Sequence, residues 1–246
     1  MKILSLYSPK GGVGKSVNAV NISYVFSLEG KKTLLWDFDP QGASSFYLRV
    51  EQSLSKDIEE LFTTTKSLEK NIKHTSFTNL HAIPSDFSLK SLDLVIDDMK
   101  RPIKKLRQTI SEIKGYDFLV IDSPPGFTNI NRLISKISDM ILVPVIPTYL
   151  SLRTLEMLKD FLFYSGVDKD RIFPFFSMAD KRKKLHRQII DEMCQDFQIK
   201  SVIPYSAEIE KMGDALAPAP HFSKDKNITE IYYKFRDEIL ECLTKL

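Results

Sequence analysis

Seven consecutive residues, Lys10-Gly11-Gly12-Val13-Gly14-Lys15-Ser16, have the composition of a phosphate cradle. Glycines let backbone N–H groups close around phosphate oxygens, and a helix starting beside them presents its positive N-terminal end to the same anion. In that setting Lys15 would neutralise the β and γ phosphates of a nucleotide, and the Ser16 hydroxyl would ligate Mg²⁺. The general phosphate-loop pattern asks for glycine six residues before the lysine, where this chain has Pro9, so the run is a variant with an additional lysine at position 10. A glycine turn of no consequence is the bland alternative. A strand before, a helix after and seven residues in register weigh against it.

Two further groups could work on the same ligand. Asp37-Phe38-Asp39-Pro40-Gln41 follows an apolar run, and alternation puts Asp37 and Asp39 on one side of an extended chain. In open α/β sheets ligands gather outside the carboxyl ends of the strands, where these acids would stand. Val120-Ile121-Asp122-Ser123-Pro124-Pro125-Gly126 ends a second apolar run in an acid. Such an acid commonly orients Mg²⁺ in phosphate-loop enzymes. Either acid alone could merely cap a strand; the three groups in this order point to a nucleotide site.

The elements that must position these residues alternate. Strands are expected over 2–8, 31–38, 80–84, 116–122, 140–145 and 172–177, with a short one near 202–203. Helices are expected over about 15–28, 128–137, 150–165, 182–197 and 228–245, with Gly30 closing the first. Residues 43–78 read as short helices and loops, and 88–113 as a long helix that Pro102 kinks or splits. The pattern predicts an α/β fold, a mainly parallel twisted sheet flanked by helices on both faces, with residues 1–246 as a single domain.

Bulk properties leave this reading room. The chain has 246 residues, 43% of them apolar, enough to bury a core without covalent staples. A net charge of +3 decides nothing about partners. Cys194 and Cys242 lie too far apart for a CxxC site, and the four histidines form no ligand-spaced cluster, so a reducing, cytoplasmic setting is expected. No signal-peptide core opens the chain, and no apolar run approaches the ~20 residues that span a bilayer.

In these motifs the chain resembles the ParA/MinD (SIMIBI-class) ATPases with a deviant Walker A sequence, and among them the ParA partition branch. The resemblance extends over nearly the whole length. It rests on Lys10–Ser16, Asn21, Asp37–Gln41, Tyr116–Asp117, Asp122–Pro125, Leu142–Val145, Ser177–Arg182 and Val202–Pro204. It implies a P-loop NTPase fold, ATP and Mg²⁺ as ligands, and a sandwich homodimer formed on ATP binding. Lys10 would reach across to the partner copy's ATP, Lys15 would bind the β and γ phosphates, and Asp39 would position the attacking water. Ser16 would hold Mg²⁺ directly and Asp122 through water. Gly11, Gly12, Val13, Gly14 and Val17 would complete the nucleotide site. A slow intrinsic ATPase, a ParB-like activator and non-specific DNA binding at the nucleoid follow from the same resemblance.

Departures bear on this. Val17 stands where the family often has threonine, and Gly126 where it often has serine. After Ile203-Pro204 the chain continues Tyr205-Ser206-Ala207-Glu208, where the family usually carries arginines that meet DNA. The remaining basic run, Lys181, Arg182, Lys183, Lys184 and Arg187, is either a solvated face or the DNA contact. Doubled across a dimer it would offer about ten cations for salt-sensitive, sequence-independent binding. The last helix carries Glu230, Asp237, Glu238 and Glu241 among its apolar residues, so core packing is expected rather than a membrane anchor of the MinD kind. An ATP-dependent small-molecule enzyme on the same scaffold is the rival; an Fe–S redox relative would need paired cysteines.

Overall fold

The computed structural model describes residues 1–54, 58–193 and 195–246. The order is β1 (Lys2–Leu6), α1 (Lys15–Leu28), β2 (Thr33–Asp37), α2 (Ala43–Tyr47), α3 (Ile58–Thr63), α4 (Thr65–Lys70), β3 (Lys73–His74), β4 (Leu80–Ile83), α5 (Leu92–Asp98), α6 (Pro102–Glu112), β5 (Phe118–Asp122), α7 (Asn129–Ile137) and β6 (Met140–Val145). It continues with α8 (Tyr149–Tyr164), β7 (Ile172–Ala179), α9 (Lys184–Met193), β8 (Val202–Pro204), α10 (Ala207–Glu210), α11 (Met212–Ala215), α12 (Ala219–Phe222) and α13 (Lys226–Leu243).

Among the described residues the strands form one sheet in the order β3-β4-β2-β5-β1-β6-β7-β8. Every pairing is parallel except β3 with β4 at the edge. The central strands read as unbroken apolar runs because helices cover both faces. On one face Leu4, Leu6, Val120 and Phe175 pack against α1 and α13; on the other Leu34, Trp36, Leu119 and Ile121 pack against α3, α5, α6 and α7. A third cluster joins Ile141, Val143 and Val145 to Leu155, Leu158 and Leu162 of α8.

The expected strands and helices are present within a few residues. Pro102 does split the 88–113 segment: it opens α6 after Arg101 in a left-handed conformation, φ 56°. Placing proline at a helix's first position removes an N–H that has no partner there anyway. The last helix packs as expected, with Ile228, Tyr232, Phe235 and Ile239 in the core. Three differences are local. The antiparallel edge strand β3 and the short helices α10 to α12 were not expected, being too short to carry a period. The basic helix begins at Lys184, two residues late, because Asp180 caps a turn there: Lys183 N–H donates to its carbonyl at 3.1 Å and Arg182 N–H to its carboxylate at 3.0 Å. No described helix is long and apolar enough to cross a membrane.

Candidate nucleotide-binding site

The residues singled out for chemistry converge at the carboxyl ends of β1, β2 and β5, the three central strands. Asp37 and Asp122 face each other in register, and Asp122 also pairs with Leu6, just before the glycine-rich turn. That turn is held from several sides. Gly12 and Gly14 take left-handed φ values of 69° and 91°, open to glycine at little cost. Gly126 N–H donates to the Pro9 carbonyl at 2.9 Å, and Tyr7 OH to the Gly126 carbonyl at 3.0 Å. Asn18 on α1 donates from Nδ2 to the Gly14 carbonyl at 2.7 Å and to Ser177 Oγ at 3.1 Å, and its Oδ1 accepts the Tyr232 hydroxyl at 3.0 Å.

Lys15 is buried, and its amine donates to the Lys10 carbonyl at 2.9 Å, which curls the loop over the helix start. Burial lowers its pKa, while the carboxylates of Asp122 and Asp39 pull the other way. Asp122 is fully buried. Its Oδ2 accepts the Ser44 hydroxyl at 2.7 Å, and its Oδ1 has no hydrogen-bond partner among the described residues. Burial pushes its pKa up to about 6, against the hydroxyls of Ser16 and Ser44 and the charge of Lys15. A buried, unpartnered carboxylate oxygen close to a hydroxyl is a hard-oxygen donor set that fits Mg²⁺ completed by phosphate and water. Among the described residues no group of three or more His, Cys, Asp or Glu could by itself hold a metal ion.

Asp39 lies on the loop after β2, half-buried, with Oδ1 accepting the Gln41 N–H at 3.0 Å. Asp37 is buried and its pKa raised, first by desolvation and then by the nearby charge of Asp122. Lys10 behaves differently from Lys15: its amine lies 3.5 Å from Ser151 Oγ on the first turn of α8. Val17 lines a mostly apolar cleft of about 420 Å³ beside Gly12 and Gly14, walled by Met178, Ile203, Pro204 and Tyr205. This cleft is large enough for a planar base beside a phosphate loop. Met178 is left-handed, φ 53°, at an irregularity in the β7–β8 pairing, so the strand bends around the cleft.

The basic run stands apart from these groups. Lys181, Lys183 and Lys184 are exposed. Arg182 is bound through Nε and an NH₂ group to the two oxygens of Asp180, each at 2.9 Å, and Arg187 donates to the Lys181 carbonyl. Sequence reasoning missed Asn18, Ser44 and Ser177, whose only signal was their place inside or beside the motifs. Cys194 lies outside the described residues, and Cys242 is a buried free thiol.

A glycine cradle at a helix start, with a buried lysine and two strand-end acids on a parallel sheet, defines a P-loop nucleotide-binding protein. Residues 1–164 match the family model AAA_31, an AAA domain. The chain is 29% identical to the chromosome-partitioning ATPase Soj of Treponema pallidum, over 97% of each chain. A Borrelia burgdorferi B31 protein assigned to plasmid partition, solved with AMPPNP, superposes with TM-score 0.80 at 20% identity over 98% of each chain. Cobyrinic acid a,c-diamide synthase of Mycobacterium smegmatis, solved with ADP and magnesium, superposes at 0.72 and 18% identity over 89% of this chain and 91% of its own. This chain belongs to the AAA_31 family and to the ParA/MinD-type ATPases.

Proposed function

We propose that this chain is a ParA-like partition or positioning ATPase in which ATP binding closes a sandwich homodimer and hydrolysis opens it. The contrast between its two lysines supports this reading. Lys15 is buried in the loop, whereas the amine of Lys10 lies beside Ser151 on the first turn of α8, where Tyr149 (57%) and Leu150 (62%) are exposed. A second copy would cover these side chains and bring Lys10 of the partner subunit to the γ phosphate.

Within that dimer Lys15 neutralises the β and γ phosphates, and the loop's N–H groups orient them. Ser16, and Asp122 through water, would hold Mg²⁺, whose charge screens the phosphate oxygens. Asp39 orients the water that attacks the γ phosphorus, releasing ADP and phosphate. With one lysine supplied in trans, charge neutralisation depends on assembly, so nucleotide state becomes assembly state. Dimerisation also doubles Lys181, Lys183, Lys184 and Arg187, supporting non-specific DNA binding, with Arg182 already satisfied by Asp180. A ParB-like protein would stimulate hydrolysis and release the dimer. The amide-forming enzyme type shares the fold, but partner-independent turnover of a small acid would be its mark.

Light scattering after size exclusion, with and without Mg-ATP, tests the reading. Asp39→Ala should bind ATP and accumulate as a dimer that retards DNA at low salt, and Lys15→Ala should stay monomeric. Normal hydrolysis by Asp39→Ala would overturn the role given to that residue.

A further inference from the structure

The backbone of Asp39 belongs to a closed hydrogen-bonded ring assembled from three segments. Its N–H donates to Asp37 Oδ1 at 3.1 Å. Asp37 Oδ2 accepts both the Ser45 hydroxyl, at 2.7 Å, and the Ser45 N–H, at 2.9 Å. Ser45 Oγ in turn accepts the Ser85 N–H at 2.9 Å, and Ser85 Oγ returns a bond of 2.5 Å to the Asp39 carbonyl. Asp37, Ser45 and Ser85 are all buried. They come from the end of β2, from α2, and from the turn after β4, the strand that pairs with β2.

This ring has a consequence for geometry. Both peptide groups flanking Asp39 are held, so its Cα is fixed relative to the sheet while its side chain stays at the site. The same α2 carries Ser44, which binds Asp122 Oδ2. One short helix therefore ties the Asp39 loop to the acid expected beside the metal. Gly42 permits the tight entry into α2: it is left-handed, φ 65°, and its carbonyl accepts Gln52 Nε2 at 3.0 Å.

We infer that Asp37, Ser45 and Ser85 are positioning residues for hydrolysis, acting through the backbone of Asp39 and not on the nucleotide. This rests on the reading of Asp39 as the residue that orients the water. A group that sets the attack geometry affects turnover, while a group that binds substrate affects affinity.

The test is steady-state phosphate release together with ATP affinity by calorimetry, on the full-length chain with Mg²⁺. Ser85→Ala and Ser45→Ala should each lower kcat by about ten- to a hundredfold with ATP affinity unchanged, and Ser45→Thr should restore turnover. Retained ATP binding reports that the variants fold; should Ser85→Ala not fold, Ser85→Cys carries the same expectation. Wild-type turnover in the serine variants while Asp39→Ala is inactive would sink the ring's role alone. Normal turnover in Asp39→Ala would sink both readings. An equal loss of affinity and turnover would also overturn it, because the ring would then be shaping the binding site.

Discussion

Gly14 shows at the scale of one residue why the loop sequence is so constrained. It caps α1 with φ 91°, and a Cβ there would meet Ser177 Oγ at 2.8 Å and Asn18 Nδ2 at 3.1 Å. Both neighbours are already hydrogen-bonded to each other, so neither can withdraw without loss. Gly14→Ala should therefore destabilise the fold by about 1–3 kcal/mol, measured by urea denaturation, and weaken ATP binding as well. A stable variant with normal affinity would show that the neighbours can give way. The buried acids illustrate a related point: burial raises the pKa values of both Asp37 and Asp122, and one oxygen of Asp122 has no hydrogen-bond partner among the described residues.

At the scale of elements, the long apolar and amphipathic runs were legible, and their ends fell within a few residues. Pro102 could be read as a break because its ring forbids the preceding turn. The edge of the sheet was not legible, since two-residue β3 has no period to detect. That edge carries His74 opposite His81, ring centroids 4.3 Å apart, with His81 Nδ1 2.6 Å from the Tyr116 hydroxyl. The His81 pKa is lowered from 6.5, first by burial and then by the charges of His74 and Lys32. A depressed folded value means the unfolded chain binds more protons in this range. Stability from His81 is then complete above about pH 6.5 and lost as pH falls through the folded value. His81→Phe should flatten the fall in urea midpoint between about pH 7 and pH 5; an unchanged slope would place the acid sensitivity elsewhere.

Across the whole molecule the phosphate loop is coupled to the C-terminal helix. Tyr232 on α13 is fully buried, and its hydroxyl reaches Asn18, 214 positions away in sequence, which in turn holds Gly14 and Ser177. Tyr232→Phe leaves Asn18 Oδ1 without its donor at a cost of about 1–3 kcal/mol. Because Asn18 touches both the loop and the cleft beside it, ATP affinity should fall too. Calorimetry of the variant checks this, and unchanged affinity would mean α13 supports the fold alone.

The sequence by itself determined the glycine-rich run between β1 and α1, the acids at and just beyond the ends of β2 and β5, and the parallel α/β plan. Each is a contiguous pattern of a few residues, and local pattern is what a chain displays. Only the tertiary structure decided what steadies those residues. Ser44 on Asp122, Ser85 on the Asp39 carbonyl, and Ser177 with Asn18 at Gly14 are contacts of small polar residues 78, 46 and 159 positions apart. Serine and asparagine are common everywhere, so their residue types alone do not mark these contacts. The sheet gives them meaning by bringing the ends of its central strands together.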